Sequence, residues 1–249
     1  MNFNNYVKNI FLKIYKLSKL IFYPRLSKFL FKGILPTFEH EEALKIIGKQ
    51  NSLIDCGCNK GQFAILSFKL NKFSEYIAFD PIIYPNSVIK YFKKNNIKTH
   101  FKEVALSNKE GLKEFFITKR NDSSSLKKPK EFAFEYFADV FENDKKIVKV
   151  FKLNNFYELI KNTPEPRILK IDVQGNEFEL LEGSDKIINF FEFIIIECTF
   201  FELYEEIKHN IIDVHSLLME KNFKLVKEYN KVYRKGKLIS TDRIYKFFI

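Results

Sequence analysis

The chain is poor in cysteine, has no long uninterrupted apolar run, shows no internal repeat, and places no acidic residue among its first 38 positions. Three cysteines, Cys56, Cys58 and Cys198, form an odd set without the spacing of a disulfide framework. That excludes a small cystine-stapled scaffold and fits a reducing compartment. Basic residues interrupt every apolar stretch near the start. No secretory leader is readable there, and no membrane-spanning helix, which needs about 20 mostly apolar residues. The expected location is the cytoplasm, with peripheral attachment to the inner membrane surface as the alternative.

What is present is enough for a packed core. Of 249 residues, 46% are hydrophobic, with 29 Phe and 12 Tyr, which predicts a folded domain with an appendage rather than a disordered chain. The net charge of +11 is uneven. Lys8, Lys13, Lys16, Lys19, Arg25, Lys28 and Lys32 lie within residues 1–38, and the rest of the chain is nearly balanced. With no recognition motif in that body, specific nucleic-acid binding is not expected. Residues 5–22 place Val7, Ile10, Phe11, Ile14, Leu17 and Ile21 at helical spacing, with Lys8, Lys16 and Lys19 off the stripe. This predicts a basic amphipathic helix that packs on the body or on another subunit, or that rests on a membrane surface. Residues 1–38 are therefore set apart as an extension from a domain over 39–249.

From residue 40 short apolar runs alternate with helical patterns. "SLIDC", "EYIAFDP" and "IKTHFKEVAL" read as strands, separated by the helices "GQFAILSFKL" and "SVIKYFKKN". After residue 152 the rhythm resumes: "RILKIDVQG", "FEFIIIECTF", "FKLVKEY" and "DRIYKFFI" read as strands, and "NEFELLEGSDKII" and "IIDVHSLLMEKN" as helices. The fold class is α/β, Rossmann-like, with a seven-stranded, mostly parallel sheet, one antiparallel member and helices on both faces. Residues 107–152 break the rhythm with two extra strands, "GLKEFFIT" and "KIVKVFKL", and are read as an insertion over the ligand edge of the sheet.

The stretch "LIDCGCNKGQF" (residues 53–63) carries the first chemistry. Cys56 and Cys58 are one residue apart and only Cys198 remains, so a four-ligand zinc site is not formed by this pattern. Gly61 is followed by Gln62 and Phe63, not by Lys and Ser or Thr, so it is not a Walker loop. Gly57 and Gly61 lack the intermediate glycine of the dinucleotide fingerprint. What remains is a strand ending in Asp55, a glycine turn and a helix start, where free N–H groups can hold a carboxylate. Asp55 is a partner for an ammonium or a positive sulfur. Asp80 ends the next strand, where an acid can accept hydrogen bonds from ribose hydroxyls. Carboxylate, ammonium, sulfonium and ribose are the parts of S-adenosylmethionine, and the turn and the acid together match that ligand.

The segments "LIDCGCNKGQFA", "AFDP", "EVALSNKEG", "DSSSL", "LKIDVQGNEFELLEGS" and "IIIECTFFELY" also occur in the order expected of FkbM-type methyltransferases, which the chain resembles over about residues 50–230. The resemblance implies a class I methyltransferase fold and S-adenosylmethionine-dependent transfer to an oxygen, usually of a sugar or a related natural-product hydroxyl. It puts Asp55, Gly57, Asn59, Gly61 and Phe63 at the methionine end of the cofactor, Asp80 at the ribose, and Glu103, Val104 and Ala105 along the adenine. It makes Ser124 and Ser125 candidates to touch cofactor or acceptor, and Asp172 a residue near the reacting methyl. The chain departs from the family in carrying Asp80 where Glu is common, Cys58 where Ala is usual, and Asn154 where an Asp follows Thr-Leu.

A sugar hydroxyl needs help to lose its proton. Asp172, at the end of "ILKID", is the first candidate base or orienting group, with capping of the next helix as the alternative. Glu197 ends the most apolar strand, where an acid is costly to bury without a role or a partner. The two acids on neighbouring strands present hard oxygen ligands, so a divalent metal fits the pattern without being demanded by it. His215 is the third catalytic candidate, although its place near the apolar side of its helix suits a packed histidine equally. Glu177 and Glu179 are explained by the helix macrodipole. Phe132, Phe134, Tyr136, Phe137 and Phe141 either stack on a sugar ring or form the insertion's own small core. The expected partner is a saccharide or other small-molecule acceptor; the alternatives are a lipid-linked acceptor at a membrane surface, or a non-catalytic Rossmann-like binding or scaffold protein.

Overall fold

A computed structural model describes residues 14–119, 121–131, 133, 142–200, 203–207 and 209–248. Its main sheet runs in the order β3-β2-β1-β7-β8-β10-β9. These strands are β1 (Ser52–Cys56), β2 (Glu75–Phe79), β3 (Lys98–Lys102), β7 (Arg167–Ile171), β8 (Phe193–Thr199), β9 (Phe223–Arg234) and β10 (Lys237–Phe247). β1, β2, β3, β7 and β8 pair in parallel, and β10 runs antiparallel to both its neighbours. The central strands read as continuous apolar runs because both sheet faces are covered: every residue of β1, β2 and β7 is buried. The outermost strands, β3 and β9, carry lysines and are half exposed, which discourages further pairing at the edges.

Helices cover both faces. Phe63, Ala64 and Leu66 of the helix Gln62–Asn71 and Val88 and Phe92 of the helix Asn86–Lys94 share one core with Leu53 and Tyr76. On the other face Leu180, Val214 and Leu218, from the helices Glu177–Glu182 and Ile211–Glu220, pack with Leu169, Ile194 and Ile196. The strand order turns back between β1 and β7, and the carboxyl ends of these two strands flank the crevice where α/β sheets take ligands.

Three features differ from the expectation. The third strand stops at Lys102. The residues after it form β4 (Ala105–Leu106), which joins β6 (Glu142–Phe151) and β5 (Gly111–Thr118) in a separate three-stranded sheet. The last two strands are longer than the apolar pattern suggests. Lys235 (φ 49°) and Gly236 (φ 76°) make a two-residue turn of left-handed residues, which lets a charged segment continue as a hairpin. Finally, residues 14–22 are helical, but the apolar stripe Ile14, Leu17 and Ile21 faces outward while Lys16 and Lys19 reach inward to Glu39 and Glu41. Acids at the start of the domain draw the lysines in and rotate the helix against its hydrophobic pattern.

The earlier part of that stripe, Val7, Ile10 and Phe11, and the aromatic residues Phe132, Phe134, Tyr136, Phe137 and Phe141 lie outside the described residues. Among the described residues no helix is long and apolar enough to cross a membrane.

Candidate active site

A cavity of about 350 Å³ opens at the carboxyl ends of β1, β2, β7 and β8 and is closed on one side by the β9–β10 hairpin. That volume lies in the range of small-ligand sites. The turn after β1 forms its floor. Gly57 adopts φ +80°, and its N–H donates to Phe79 O at 2.9 Å. A Cβ there would stand 1.9 Å from the carbonyl oxygen of Asp172, so only glycine lets β1 and β7 approach at this point. Asn59 (φ 47°) lines the cavity and donates its N–H to Asp80 Oδ2 at 3.0 Å. Asp80 Oδ1 accepts the N–H groups of Ile82 and Ile83 at 2.9 and 2.7 Å. The Asp80 carboxylate thus ties the loop after β1 to the loop after β2, and it also faces the cavity. Burial raises its pKa, against the pull of the three N–H groups.

Gly61 does not line the cavity. A Cβ on it would stand 2.9 Å from Val88, so its place is in helix packing. Phe63 does line it, edge-on to the ring of His40. Val104 and Ala105 form an apolar wall with Ile82 and Phe115, whereas the Glu103 side chain points to solvent and toward Lys146 Nζ at 3.4 Å. Glu103 is therefore removed from the cavity-lining set: a charged side chain at that edge is solvated rather than aimed at the apolar wall. Ser124 lines the cavity and accepts the N–H of Thr118. Ser125 is buried behind it, its hydroxyl donating to Gln174 O at 2.6 Å, so it is removed as well.

The polar wall is made by adjacent strands. Lys170 is buried within β7, its Nζ 3.0 Å from Asp172 Oδ2, 3.7 Å from Asp55 Oδ1 and 3.2 Å from Gly57 O. Burial would lower the Lys170 pKa; Asp172 and Asp55 outweigh it and hold the ammonium charged. Asp55 does not line the cavity. It is fully buried below the turn, accepts a hydrogen bond from Tyr76 at 3.2 Å, and is pushed up to about 6 by burial. Its role is to pair Lys170, not to touch a ligand.

Asp172 lines the cavity, and Lys170 and Gln174 overcome its burial to hold it below the ordinary carboxylate range. Gln174 Nε2 donates to Asp172 Oδ1 at 2.6 Å and to Glu197 Oε2 at 2.8 Å, and Gln174 Oε1 accepts from Tyr204 at 3.0 Å. Glu197 is raised well above its ordinary range by burial and by the Asp172 charge, so the two acids behave as one proton-sharing pair with the proton on Glu197. Asp172 caps no helix: Asn176 occupies the N-cap of Glu177–Glu182, and its side chain donates to Leu106 O.

Asp242 of β10 stands in register with Glu197 of β8 and completes a row of three acids. It accepts from Asn230 Nδ2 at 2.6 Å and is pushed up to about 7 by burial. His40 Nδ1 lies 3.8 Å from Asp242 Oδ2 and 2.8 Å from the Tyr229 hydroxyl; burial lowers its pKa to about 4, so the ring is neutral.

His215 lies outside the cavity, with Nδ1 3.1 Å from the Tyr245 hydroxyl. It is a packing histidine between helix and sheet, and the catalytic assignment is withdrawn. Asn154 is also remote; its side chain joins Asp185 and accepts from Lys186 N. Glu177 braces the preceding loop by accepting the N–H groups of Val173 and Gly175. Cys56, Cys58 and Cys198 are free and buried, and burial raises all three thiols. Among the described residues no group of three or more His, Cys, Asp or Glu side chains is placed to hold a metal ion.

The Methyltransferase FkbM domain matches residues 55–225, most of the chain. The chain belongs to the FkbM methyltransferase family. Its sheet order is that of the class I methyltransferase fold, whose cofactor is S-adenosylmethionine. No curated protein matches it in sequence. Solved structures resemble it distantly. A putative tRNA (m1A22) methyltransferase of Streptococcus pneumoniae, in complex with S-adenosyl-L-methionine, is 12% identical with a TM-score of 0.46, covering 86% of this chain and 73% of that one. An rRNA methylase of Streptococcus thermophilus is 12% identical with a TM-score of 0.44, covering 84% and 94%. The magnesium protoporphyrin IX methyltransferase of Synechocystis PCC 6803 is 8% identical with a TM-score of 0.43, covering 85% and 81%.

Among the polar residues of this FkbM methyltransferase's cavity that sequence reasoning missed are Lys170, Gln174, Asn230 and Asp242. Lys170 had a signal, since a lysine between Leu169 and Ile171 in a central strand cannot be buried without counter-charges. Asp242 had none, because its neighbours are set by antiparallel register with β8.

Proposed function

We propose that this methyltransferase moves the methyl group of S-adenosylmethionine to a hydroxyl oxygen of a sugar or glycan. The observation that carries the reading is the row Asp172, Glu197 and Asp242, which faces one cavity with Asp172 beside the glycine turn. The cavity residues fit the cofactor: a glycine-opened turn with the Asp80 carboxylate lies at one end, and the apolar wall of Ile82, Val104, Ala105 and Phe115 beside it. Gly57, Cys58, Asn59 and Asp80 would hold the polar parts, and the apolar wall the base. When bound, the cofactor supplies a methyl group on a positive sulfur.

The rest is the work of this chain's side chains. Asp172, ionised beside Lys170, accepts a hydrogen bond from the acceptor hydroxyl and orients it. Glu197, protonated, donates to a second sugar oxygen. Asp242, with its pKa about 7, is matched to take the hydroxyl proton at neutral pH. Three carboxyl groups in different protonation states suit a polyol, whose hydroxyls both donate and accept.

Calorimetry with S-adenosylmethionine, followed by transfer of labelled methyl to a panel of free and glycosidic sugars, tests the reading. The expected result is saturable cofactor binding and a label recovered as a methyl ether on a sugar oxygen. A label found on nitrogen or carbon, or cofactor binding with no saccharide labelled, would overturn the choice of acceptor.

A further inference from the structure

The N-terminal segment presents its apolar side to solvent and its polar side to the protein. Lys16 Nζ lies 2.8 Å from Glu39 Oε1, Lys19 Nζ 2.8 Å from Glu41 Oε2, and the Tyr23 hydroxyl donates to Glu41 Oε1 at 2.8 Å. Leu20 is buried under them. These contacts pin the helix of residues 14–22 with Ile14, Leu17 and Ile21 outward; Ile21 and Phe22 are each 77% exposed. The next turn, Pro24–Lys32, adds Phe31 at 94%. Large exposed apolar side chains concentrated in one short segment mark a contact site.

Its flank is positive: Arg25, Lys28 and Lys32 lie on one helix of nine residues, and Lys28 Nζ stands 4.0 Å over the ring of Tyr91, which shares its helix with Lys94. The neighbouring charges of Lys32, Lys94 and Arg25 add to burial in lowering the Lys28 pKa. No acid occurs in residues 1–38. A second copy packed symmetrically on this face would bring two such clusters together, which like-charge repulsion opposes. An anionic surface answers both the charge and the apolar side chains.

We propose that residues 14–32 seat the protein on an anionic lipid bilayer, with Ile21, Phe22 and Phe31 entering the interface while Arg25, Lys28 and Lys32 meet headgroup phosphates. The cations near such a surface and the buried apolar area both favour attachment. The surface is separate from the methyl-transfer reading, although Lys16 and Glu39 also line the cavity, so the seated helix is part of the cavity wall.

The test is co-sedimentation of the full chain with vesicles of phosphatidylcholine alone or mixed with phosphatidylglycerol. Binding is expected only to the mixed vesicles and is expected to weaken with salt. The variant I21D/F22D/F31D is expected to lose binding by about tenfold or more, and R25E/K32E likewise, with unchanged thermal unfolding because these side chains are exposed. The proposal is overturned by a wild-type protein that ignores mixed vesicles, or by an apolar-to-Asp variant that binds them as tightly as wild type. Sedimentation equilibrium adds a third outcome: a dimer that dissociates in the same variant assigns the face to a second copy instead. Calorimetry with S-adenosylmethionine on the same samples keeps the readings apart, since loss of cofactor binding with intact vesicle binding would count against the active site alone.

Discussion

Lys170 of β7 and Asp172, just past the end of that strand at the cavity, meet through Nζ and Oδ2 at 3.0 Å. The pairing is possible because Lys170 extends toward the carboxyl end of β7, where Asp55 waits on its other side. One ammonium therefore compensates a structural acid and a cavity acid at once. Replacing it, in Lys170→Met, leaves both carboxylates in a buried site without their cation. The expected cost is about 3–5 kcal/mol, read as a lower midpoint in urea unfolding. Adding Asp55→Asn to that variant is expected to restore part of the loss, since it removes one stranded charge. Equal stability of Lys170→Met and the wild type would mean that the triad contributes nothing.

The raised acids set the pH response. Asp242 titrates at about 7 in the folded protein and near its ordinary 3.8 when unfolded, and burial shifts Asp55, to about 6, and Glu177, to about 7, in the same direction. Between the two values the folded chain binds more protons than the unfolded one. Their favourable contribution is complete below about pH 4 and is lost as pH rises to about 7, with a slope of up to about 1.4 kcal/mol per pH unit for each group. Asp172 shifts the other way, and its contribution is lost only as pH falls below the ordinary carboxylate range. Urea midpoints between pH 5 and 7 are expected to fall, and to fall less steeply in Asp242→Asn. Methyl transfer should move oppositely, rising through about pH 7 as Asp242 becomes able to take a proton. A rate that is flat across this range would exclude Asp242 as the base.

The parts of this architecture that were legible were those written locally. Mostly apolar runs such as "ILKI" and "FIIIEC" mark central strands, and a strand, an acid and a glycine turn announce where a ligand meets the sheet edge. The row of acids was two-thirds legible, because Asp172 directly follows β7 and Glu197 lies near the carboxyl end of β8. Asp242 was hidden, since its position beside Glu197 depends on where the β9–β10 hairpin turns, and Lys235-Gly236 is a weaker turn signal than Asn-Gly. The orientation of the N-terminal helix was left open for a related reason. Periodicity identifies a stripe but not the direction it faces, and Glu39 and Glu41 reverse it by claiming the lysines.

Gly57 and Gly61 both have left-handed backbones, but their neighbours differ in kind. An alanine at 57 would drive its Cβ into a backbone carbonyl held in the β7 exit, which cannot move without parting the two strands. An alanine at 61 meets the Val88 side chain, which can shift by a few tenths of an ångström. The backbone conformation alone costs about 1–3 kcal/mol at either position. Gly57→Ala is expected to unfold at the lower temperature of the two and to lose S-adenosylmethionine binding in calorimetry. Gly61→Ala is expected to retain binding, weakened. The reverse order would show that the contact between Gly57 and Asp172 is not what confines the turn.

Asp80 has two tasks that can be separated. Its carboxylate accepts three backbone N–H groups, from Asn59, Ile82 and Ile83, and it faces the cavity. Hydrogen bonds to a charged group are each about 1.5–3 kcal/mol, so the residue organises two loops before any ligand arrives. Asp80→Ala removes every acceptor and is expected to lower both thermal stability and cofactor affinity. Asp80→Asn keeps one oxygen, enough for Ile82 and Ile83, and loses the acceptor for Asn59. It is expected to unfold between the wild type and Asp80→Ala and to bind S-adenosylmethionine about tenfold more weakly, because a neutral amide is a poorer acceptor for ribose hydroxyls. Equal affinities for Asp80→Asn and the wild type would confine the residue to loop organisation, and an Asp80→Ala variant with wild-type unfolding would remove that role too.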